Sequence, residues 1–510
     1  MSGFNTLKGS GGGGTGEGLA GGAGINPFGS LNVAELTPTA QATFVYGLNT
    51  STWLTSSTGN SSAVTVANNI VTCSSGISTS GSAEVRLCRG MKYRAGQGGV
   101  GKFTAIFDPG VANNTQIAGL GNTESGYYFA RQGTNFGILH VDSSKKEIRK
   151  LTINAAAGTE TVTVTLNGVA ISFSITGGSL INQTSHQISI QDFSQVGHGW
   201  DAEAIDGTVY FVSRQAQNLN GTYSFSSLGT ATGTFSTIQS GAAAIPTFIS
   251  QSSWNIDRLD GSQDGRVILD PSKGNVYSIG YQYLGFGNAI FSVEDENKGI
   301  LVPVHQIKNA NVRNSVVLSN PHVFMLWNST NSGSSTSVDI KGGSGALFTE
   351  GIVNRNIGPT FATGSYRTGV QTTPVPILTI RPNKVFKNQT CYGEIDPFNI
   401  SVGADFNAAA NTDLLNVLIY KNLTLTGPVN YSYVDQNNSI VACDIAATGF
   451  TITSNSKLMK SFSVPANNAV TLQLNYQDFF LSQREKFTIV VSTTGNTANV
   501  AANISWFEDQ

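Results

Sequence analysis

The sequence predicts an all-β protein made of several antiparallel β-sandwich, jelly-roll-like domains that follow a flexible, Gly-rich N-terminal arm. Three observations predict this class. Short alternating strand patterns recur between polar turns along most of the chain, and helical periodicity is almost absent. Only 12% of the 510 residues are charged, yet 39% are hydrophobic, which is too apolar for a disordered chain and enough for several cores.

The predicted arm covers residues 1–38 and is dominated by glycine, with tracts at 11–14 and 21–24. Such a stretch buries too little apolar surface to offset the entropy lost on ordering. We therefore expect it to be mobile alone and ordered against a neighbouring subunit. The expected anchor is the first dense apolar cluster after the glycines, which consists of Phe28, Leu31, Val33 and Leu36.

The clearest predicted element is a β-hairpin with Asn167-Gly168 between alternating runs at 161–166 and 169–174. Both residues of such a turn adopt positive φ, which asparagine and glycine tolerate. A two-residue loop places one apolar set on a buried face and leaves the other face wet. The expected cross-strand pairs on that face are Leu166 with Val169, Val164 with Ile171, and Val162 with Phe173.

Other strands and one short helix complete the predicted elements. Asp206-Gly207 repeats the hairpin signal between 202–205 and 208–212. The remaining strand patterns lie at 274–279, 377–380, 470–474, 487–491 and 502–507. We expect the last two to pair with each other, and we expect a short helix at 411–420.

Composition shifts predict three sandwich domains after the arm, at residues 39–250, 251–380 and 381–510. The first boundary follows a Ser/Ala/Gly tract at 240–244. The second falls among Pro374, Pro376 and Pro382, because proline interrupts the ladder of a central strand.

Charge and apolar patterning exclude several classes of protein. Lys and Arg number 29 against 31 Asp and Glu, and no basic stripe is visible, so a nucleic-acid partner is not expected. No apolar run approaches the roughly 20 residues that cross a bilayer, and residues 1–24 lack the apolar core of a secretory signal. We therefore expect no membrane insertion.

Four cysteines, Cys73, Cys88, Cys391 and Cys443, include no CxxC pair, which disfavours a zinc site. Either a Cys73–Cys88 disulfide or four buried thiols fits the sequence. The lack of a secretory signal favours thiols.

A GxGxxG pattern spans residues 96–101, but a dinucleotide site needs a helix after it. Residues 103–107 alternate like a strand instead, so these glycines more often mark a tight β connection. The five histidines are not spaced as metal ligands, and no GxSxG nucleophile motif is present. We expect no enzyme activity and no cofactor.

A cluster of aspartates around Gly261 and Gly265 is the one candidate metal site. Carboxylates at close spacing suit calcium, although Asp-Gly is also ordinary turn chemistry. The candidate ligands are Asp257, Asp260 and Asp264.

Aromatic stripes offer a candidate glycan platform, because an aromatic ring presents a flat apolar face with a polar edge. Strand alternation turns about half of each stripe into the core, so a packing role is the alternative. The candidates are Tyr127, Tyr128, Tyr281 and Tyr283.

Three blocks of the sequence resemble virion structural proteins shared by tailed phages and large double-stranded DNA viruses. The blocks are residues 28–49, residues 93–107, and residues 269–287 continued by 305–311. The resemblance covers about residues 28–355 and leaves the C-terminal segment unmatched. It implies a β-rich, non-enzymatic component of a virus particle, and it transfers no catalytic residue.

The sequence therefore predicts a viral structural protein, a minor capsid or surface-projecting component that acts through assembly. Its expected partners are other virion proteins and further copies of the chain, and its expected location is the virion. We expect the arm to tie one subunit to another or to the shell, so deleting residues 1–38 should abolish incorporation while leaving the sandwich folded. The alternatives are a host-glycan-binding module on the virion and, less favoured, a tailspike-type glycosidase, which needs paired carboxylates in a groove.

Overall fold

Strands with one apolar and one polar face pair into sheets, and the apolar faces of two sheets close on each other. The computed structural model describes residues 35–509 except 92, 123, 143, 177–179, 244–245, 263–266, 352–357, 407–411 and 476–478. Within this part of the chain, all pairings between named strands are antiparallel, and three sandwiches result. The all-β sandwich prediction is confirmed.

The first sandwich consists of sheets A and B. In spatial order, sheet A contains β20 (Ile300–Ile307), β19 (Ala289–Asp295), β18 (Asn275–Tyr281), β6 (Gly99–Phe107), β22 (Asp339–Gly342), β4 (Ile70–Ser74) and β3 (Ala63–Ala67). Beside them, β23 (Ser344–Glu350) pairs with β6, and β1 (Leu36–Thr43) pairs with β23. Sheet B contains β17 (Thr247–Ser250), β9 (Asn135–Val141), β8 (Gly126–Gln132), β7 (Asn114–Gly121), β21 (Phe324–Asn331), β5 (Ser82–Leu87) and β2 (Trp53–Thr58).

Aromatic side chains fill the space between sheets A and B. Trp327 is fully buried, and its ring lies against Trp53 and Phe103 at centroid distances of 5.8 Å and 6.3 Å. Phe103 in turn stacks on Tyr277 at 5.7 Å. Aromatic side chains of this size bury about 150–250 Å² each, so this cluster contributes much of the apolar burial between the two sheets.

The second sandwich is inserted into the first and is called the inserted sandwich. Its sheet C contains, in spatial order, β13 (Trp200–Ile205), β14 (Thr208–Ser213), β10 (Ile148–Ala155) and β16 (Thr232–Gln239). Its sheet D contains β12 (Val169–Ile175), β11 (Glu160–Leu166) and β15 (Ser224–Ser227). The helix α1 (Ile181–Ser189) packs on it through Ile188. The chain returns to the first sandwich at β17, and a short 3-10 turn, Gln251–Ser253, follows that strand.

The third sandwich holds the C-terminal part of the chain. In spatial order, sheet E contains β24 (Thr360–Val370), β37 (Ala498–Asp509), β28 (Glu394–Phe406) and β35 (Asn468–Gln473). Sheet F contains β31 (Tyr431–Tyr433), β32 (Val441–Asp444), β25 (Val375–Pro382), β36 (Phe487–Thr493), β29 (Leu414–Lys421) and β34 (Lys457–Pro465). Two small pairs lie beside them: β26 (Val385–Phe386) with β27 (Gln389–Thr390), and β30 (Thr424–Thr426) with β33 (Gly449–Thr451).

Both predicted hairpins form with the expected register. Leu166 pairs with Val169 across a turn in which Asn167 and Gly168 have φ of 51° and 81°. Ile205 pairs with Thr208 across the second turn.

Two element predictions are wrong. The predicted helix at 411–420 is strand β29, whose alternating side chains pack into the core of the third sandwich. The strands near 487–491 and 502–507 do not pair with each other, because β36 lies in sheet F and β37 lies in sheet E.

The predicted domain boundaries also differ from the structure. Strand β17 pairs with β9, and strands from both sides of residue 250 share sheets A and B, so that boundary cuts one sandwich in two. The boundary at 380 falls inside β25. The sequence signal at 240–244 marks the return from the inserted sandwich rather than the end of a domain.

Among the described residues, no helix is long and apolar enough to cross a membrane. Most of the predicted arm, including Phe28, Leu31 and Val33, lies outside the described residues. Leu36 belongs to β1, where it pairs with Glu350, so the ordered sandwich begins inside the segment predicted to be arm.

Candidate functional site

One end of the first sandwich gathers segments that are far apart in the sequence, and we call it the end surface. The ring of Tyr93 lies edge-on to Tyr283 at 5.1 Å, and its hydroxyl oxygen accepts a hydrogen bond from the backbone N–H of Leu284 at 3.0 Å. The side-chain amide of Asn309 donates to the carbonyl of Gly287 at 2.7 Å. Segments 93–99, 281–287 and 305–311, which belong to two of the resemblance blocks, are thus held side by side.

Strand β1, which begins inside the predicted arm, enters at the same end. The backbone N–H of Gly351 donates to the carbonyl of Glu35 at 3.0 Å, and the N–H of Glu350 donates to the carbonyl of Gly98 at 2.9 Å. Strands β23 and β6 lie between β1 and β18 in the sheet. The two outer strands are therefore three strand spacings, or about 14 Å, apart. Residue 35 therefore enters the sandwich close to the loop that follows β18.

The end surface carries an exposed apolar patch. Leu284 and Phe286 are 54% and 42% exposed, and Val312 and Val316 are 73% and 43% exposed. The two loops that carry them are joined by a backbone hydrogen bond from Val317 to Gly285 at 2.9 Å. Four large apolar side chains grouped on two joined loops are typical of a protein–protein contact.

A second feature is a cavity of about 250 Å³ over the outer face of sheet B. Because facing residues of paired strands point to the same side, the registers of β2, β5 and β21 build a regular wall of nine side chains. Its rows are Thr58–Ser82–Thr330, Ser56–Glu84–Asn328 and Leu54–Arg86–Leu326. The wall thus changes from hydroxyl groups, through a carboxylate and an amide, to apolar side chains around one arginine.

Hydrogen bonds fix the polar rows of this wall. The hydroxyl of Thr330 donates to the side-chain oxygen of Asn328 at 2.7 Å, and the Asn328 amide donates to the Ser82 hydroxyl at 3.2 Å. Ser82 and Thr330 are themselves 2.7 Å apart. The hydroxyl oxygen of Thr58 is buried with no hydrogen-bond partner in the described structure.

The inserted and third sandwiches supply the opposite wall, and it is rich in charge. Asp201 of the inserted sandwich accepts from Arg214 at 3.1 Å and from Arg484 of the third sandwich at 3.2 Å. Burial alone would raise the pKa of Asp201, but Arg484, Lys384, Arg214 and Lys146 outweigh burial and hold that pKa well below its ordinary value. Asp201 is therefore a stable carboxylate that neutralises part of the surrounding cations.

Lys146 is a basic residue of the cavity lining that makes no ion pair with the described residues. Burial lowers the pKa of Lys146 to about 8, although the Glu124 carboxylate acts in the opposite direction. No carboxylate of the described residues lies within ion-pair distance of its ammonium group. The cavity lining contains four basic residues, Arg86, Lys146, Arg214 and Arg484, against two acidic residues, Glu84 and Asp201.

A polar seam joins the inserted sandwich to the third sandwich. Glu203 is 1% exposed, and its carboxylate accepts backbone N–H bonds from Lys384 at 2.9 Å and from Val385 at 3.1 Å. Arg381 donates to the carbonyl of Ala204 at 2.8 Å and lies over the ring of Tyr431 at 4.0 Å. Since these groups come from both sandwiches, the seam fixes their relative orientation.

A second contact joins the first sandwich to the third. The carboxylate of Glu394, which is 1% exposed, accepts the backbone N–H of Gly90 at 2.8 Å. Beside it, the guanidinium of Arg89 lies over the ring of Phe480 at 4.0 Å. The three sandwiches are thus mutually braced.

The candidate glycan platform is not at the surface. Tyr127, Tyr128 and Tyr281 are 1%, 2% and 2% exposed, so their rings have no face available to a sugar, and the packing alternative is the correct one. Tyr283 is half-buried, and its hydroxyl donates to the carbonyl of Leu318 at 2.9 Å. The phenol of Tyr128 donates to the carbonyl of Asn122 at 3.1 Å at the rim of the cavity.

The aspartate cluster forms turns in the described residues. The carboxylates of Asp257 and Asp260 accept the backbone N–H groups of Leu259 and Ser262, each two residues further on, as is typical of Asx turns. Asp264 lies outside the described residues. No group of three or more His, Cys, Asp or Glu in the described part of the chain is arranged to hold a metal ion.

All four cysteines are free thiols. Burial raises the pKa of Cys88 to about 12 and that of Cys391 to about 12, so both stay protonated and unreactive at neutral pH. Of the two alternatives left by the sequence, thiols are therefore observed; three of them are buried, and Cys443 is half-buried. The last two glycines within the GxGxxG pattern, Gly99 and Gly101, belong to β6, so a strand and not a helix follows the turn, as expected.

Comparisons with known proteins identify no family. No family model and no curated protein matches the sequence. Among solved structures, the carbohydrate recognition domain of Emp46p in its potassium-bound form is similar with a TM-score of 0.22 and 9% identity, over 60% of this chain and 91% of that chain. A legume lectin-like domain from Entamoeba histolytica gives a TM-score of 0.21 and 10% identity, over 59% of this chain and 91% of that chain.

A viral structure is also similar to this chain. The atomic structure of Sulfolobus Turreted Icosahedral Virus includes a chain with a TM-score of 0.16 and 7% identity, over 93% of this chain and 98% of that chain. All these TM-scores are below 0.5. The assignment of the sites therefore depends on the geometry described above.

Proposed function

We propose that the chain is a structural protein of a virus particle, a minor capsid or surface-projecting component that acts through assembly and not through catalysis. The observation that supports this most directly is the convergence at the end surface. Segments from the blocks that resemble virion proteins lie apart in the sequence, yet 93–99, 281–287 and 305–311 are bonded together there. A resemblance whose parts meet on one surface is more specific than one scattered over the fold.

The mutual bracing of the three sandwiches supports a structural role. Glu203 and Glu394 are almost fully buried and bond across two different contacts between sandwiches. Buried carboxylates with several backbone donors hold geometry well, because any opening leaves a charge and its donors unsatisfied. Such a subunit keeps its three sandwiches in fixed relative positions, which suits a component of a particle.

The proposed assembly contact is the exposed apolar patch at the end surface, and its occupant is the arm of a neighbouring copy. The apolar cluster of the arm, Phe28, Leu31 and Val33, directly precedes the point where residue 35 enters this end. The arm therefore joins the sandwich at the end that carries the patch. Copies that meet through this end can exchange arms and bury both apolar sets.

Substitution of the patch tests this contact. The double variant Leu284→Ser with Val316→Ser removes two of the four exposed apolar side chains, and we expect it to weaken self-association in sedimentation velocity. The matched control is Leu228→Ser, because Leu228 is 87% exposed but lies on the inserted sandwich. If the double variant associates as the unmodified chain does, the patch is not the contact.

A further inference from the structure

We infer that the cavity over sheet B binds an acidic saccharide, a single sugar ring that carries a carboxylate. This binding is separate from assembly, because the cavity lies on the outer face of sheet B and not at the end surface. The lining described above combines the three kinds of group that such a ligand needs: hydrogen-bonding groups, an apolar strip and an excess of positive charge.

The polar rows of the wall suit the hydroxyl groups of a sugar. Ser82, Thr330 and Asn328 already form a fixed array of hydroxyl and amide groups. The Glu84 carboxylate lies in the same array, between Ser56 and Asn328, and can accept sugar hydroxyls. The buried, unpartnered hydroxyl of Thr58 at the edge of the array provides one more group that a ligand hydroxyl or a water can satisfy.

The third row supplies an apolar surface. Leu54 and Leu326 flank Arg86 across the register of β2, β5 and β21. The Arg86 guanidinium lies 4.9 Å from the ring centroid of Phe324, which holds the side chain in place. The C–H face of a sugar ring packs on aliphatic side chains of this kind, while its hydroxyl edge faces the polar rows.

The charge of the cavity selects an acid. Arg214 and Arg484 share Asp201, which leaves one net positive charge, and Arg86 with Lys146 against Glu84 leaves another. Lys146 contributes its ammonium group with no ion-pair partner among the described carboxylates. A ligand carboxylate directed at Lys146 supplies that partner, and charge-assisted hydrogen bonds of this type are stronger than neutral ones.

The size of the cavity limits the ligand to one ring. Its volume of about 250 Å³ lies below the range of about 300–1,000 Å³ typical of pockets for drug-sized ligands. A longer saccharide would extend out of the cavity and make few further contacts with the wall.

The test is calorimetric titration of the full chain with three methyl glycosides, those of glucuronic, galacturonic and N-acetylneuraminic acid, and with neutral glucose and galactose glycosides. We expect at least one acid to bind about tenfold tighter than the neutral sugars, which is the ratio of one charge-assisted hydrogen bond. Lys146→Met should remove this preference, and Asn328→Ala should weaken both kinds of sugar. The control Lys150→Met, a lysine on β10 outside the cavity, should retain the preference.

Four outcomes would overturn the inference. They are the absence of binding by all three acids, equal binding of acidic and neutral sugars, survival of the preference in Lys146→Met, and displacement of the acid by inorganic phosphate at equal concentration. The last would show that the cavity recognises charge alone. Urea unfolding of each variant separates loss of binding from loss of fold, and none of these outcomes bears on the assembly contact.

Discussion

Single buried charges determine how the sandwiches are held together, and Glu203 is the clearest case. Its carboxylate accepts from the backbone of Lys384 and Val385 across the seam. Glu203→Ala leaves these donors without an acceptor in a buried place, so we expect a loss of about 3 kcal/mol in the free energy of unfolding. Glu203→Gln retains one acceptor oxygen and should lose about half as much. Urea unfolding followed by tryptophan fluorescence measures both; equal stability of all three proteins would contradict the role of the seam.

The seam also makes the protein sensitive to acid through His186 on α1, whose ring lies 6.3 Å from that of Tyr431. Burial lowers the pKa of His186 to about 3, and Arg381 and Lys486 act in the same direction. The unfolded chain takes up this proton near pH 6.5, whereas the folded chain does not, so the free energy of unfolding falls as the pH falls below 6.5. By pH 5 we expect a loss of about 2 kcal/mol relative to His186→Gln. Parallel stability curves for the two proteins between pH 7 and pH 5 would contradict this assignment.

Residue roles were predictable from the sequence only where they are local. Asp260 and its N–H donor two residues on were recognisable as ordinary turn chemistry. The burial of both Tyr127 and Tyr128 was not predictable. Adjacent residues of a strand point to opposite faces, so alternation predicts that one of the two is exposed, but both faces of β8 are covered here. Lys146 and Asp201 carried no sequence signal, since they meet only when the sandwiches close on each other.

At the scale of the element, the hairpin β11–β12 depends on its turn. Gly168 has φ of +81° and open space around it, so Gly168→Ala introduces backbone strain but no collision. We expect a loss of about 1 kcal/mol. Gly158→Ala is the matched control, because Gly158 also faces open space but lies outside the left-handed region. If both variants unfold at the same urea concentration, the turn does not contribute as argued.

Elements were predictable where their signals are short in range. The register of β11 with β12 follows from two turn residues and the alternation beside them, and the structure has the same pairs. The partners of β36 and β37 include strands that lie more than a hundred residues away in the chain, β25 and β24. A pattern read along the chain contains no information about such partners, so proximity in sequence gave the wrong pair.

At the scale of the whole molecule, the interrupted first sandwich explains the failure of the domain boundary at 250. Its sheets are completed by strands on both sides of the inserted sandwich, and the bridge between Lys145 and Ala242 brings the two ends of the insertion together. Composition marks the return of the chain at 240–244 but does not distinguish an insertion from a boundary. The fold class was predictable because it depends on alternation summed over all strands.

The central claim is that the chain assembles through its arm, and the molar mass in light scattering tests it most directly. The full chain should be compared with a chain that lacks residues 1–34, a deletion that spares β1 because the strand begins at Leu36. We predict an oligomer for the full chain and a folded monomer after the deletion. A monomer in both forms, or an oligomer of unchanged size after the deletion, would contradict assembly through the arm.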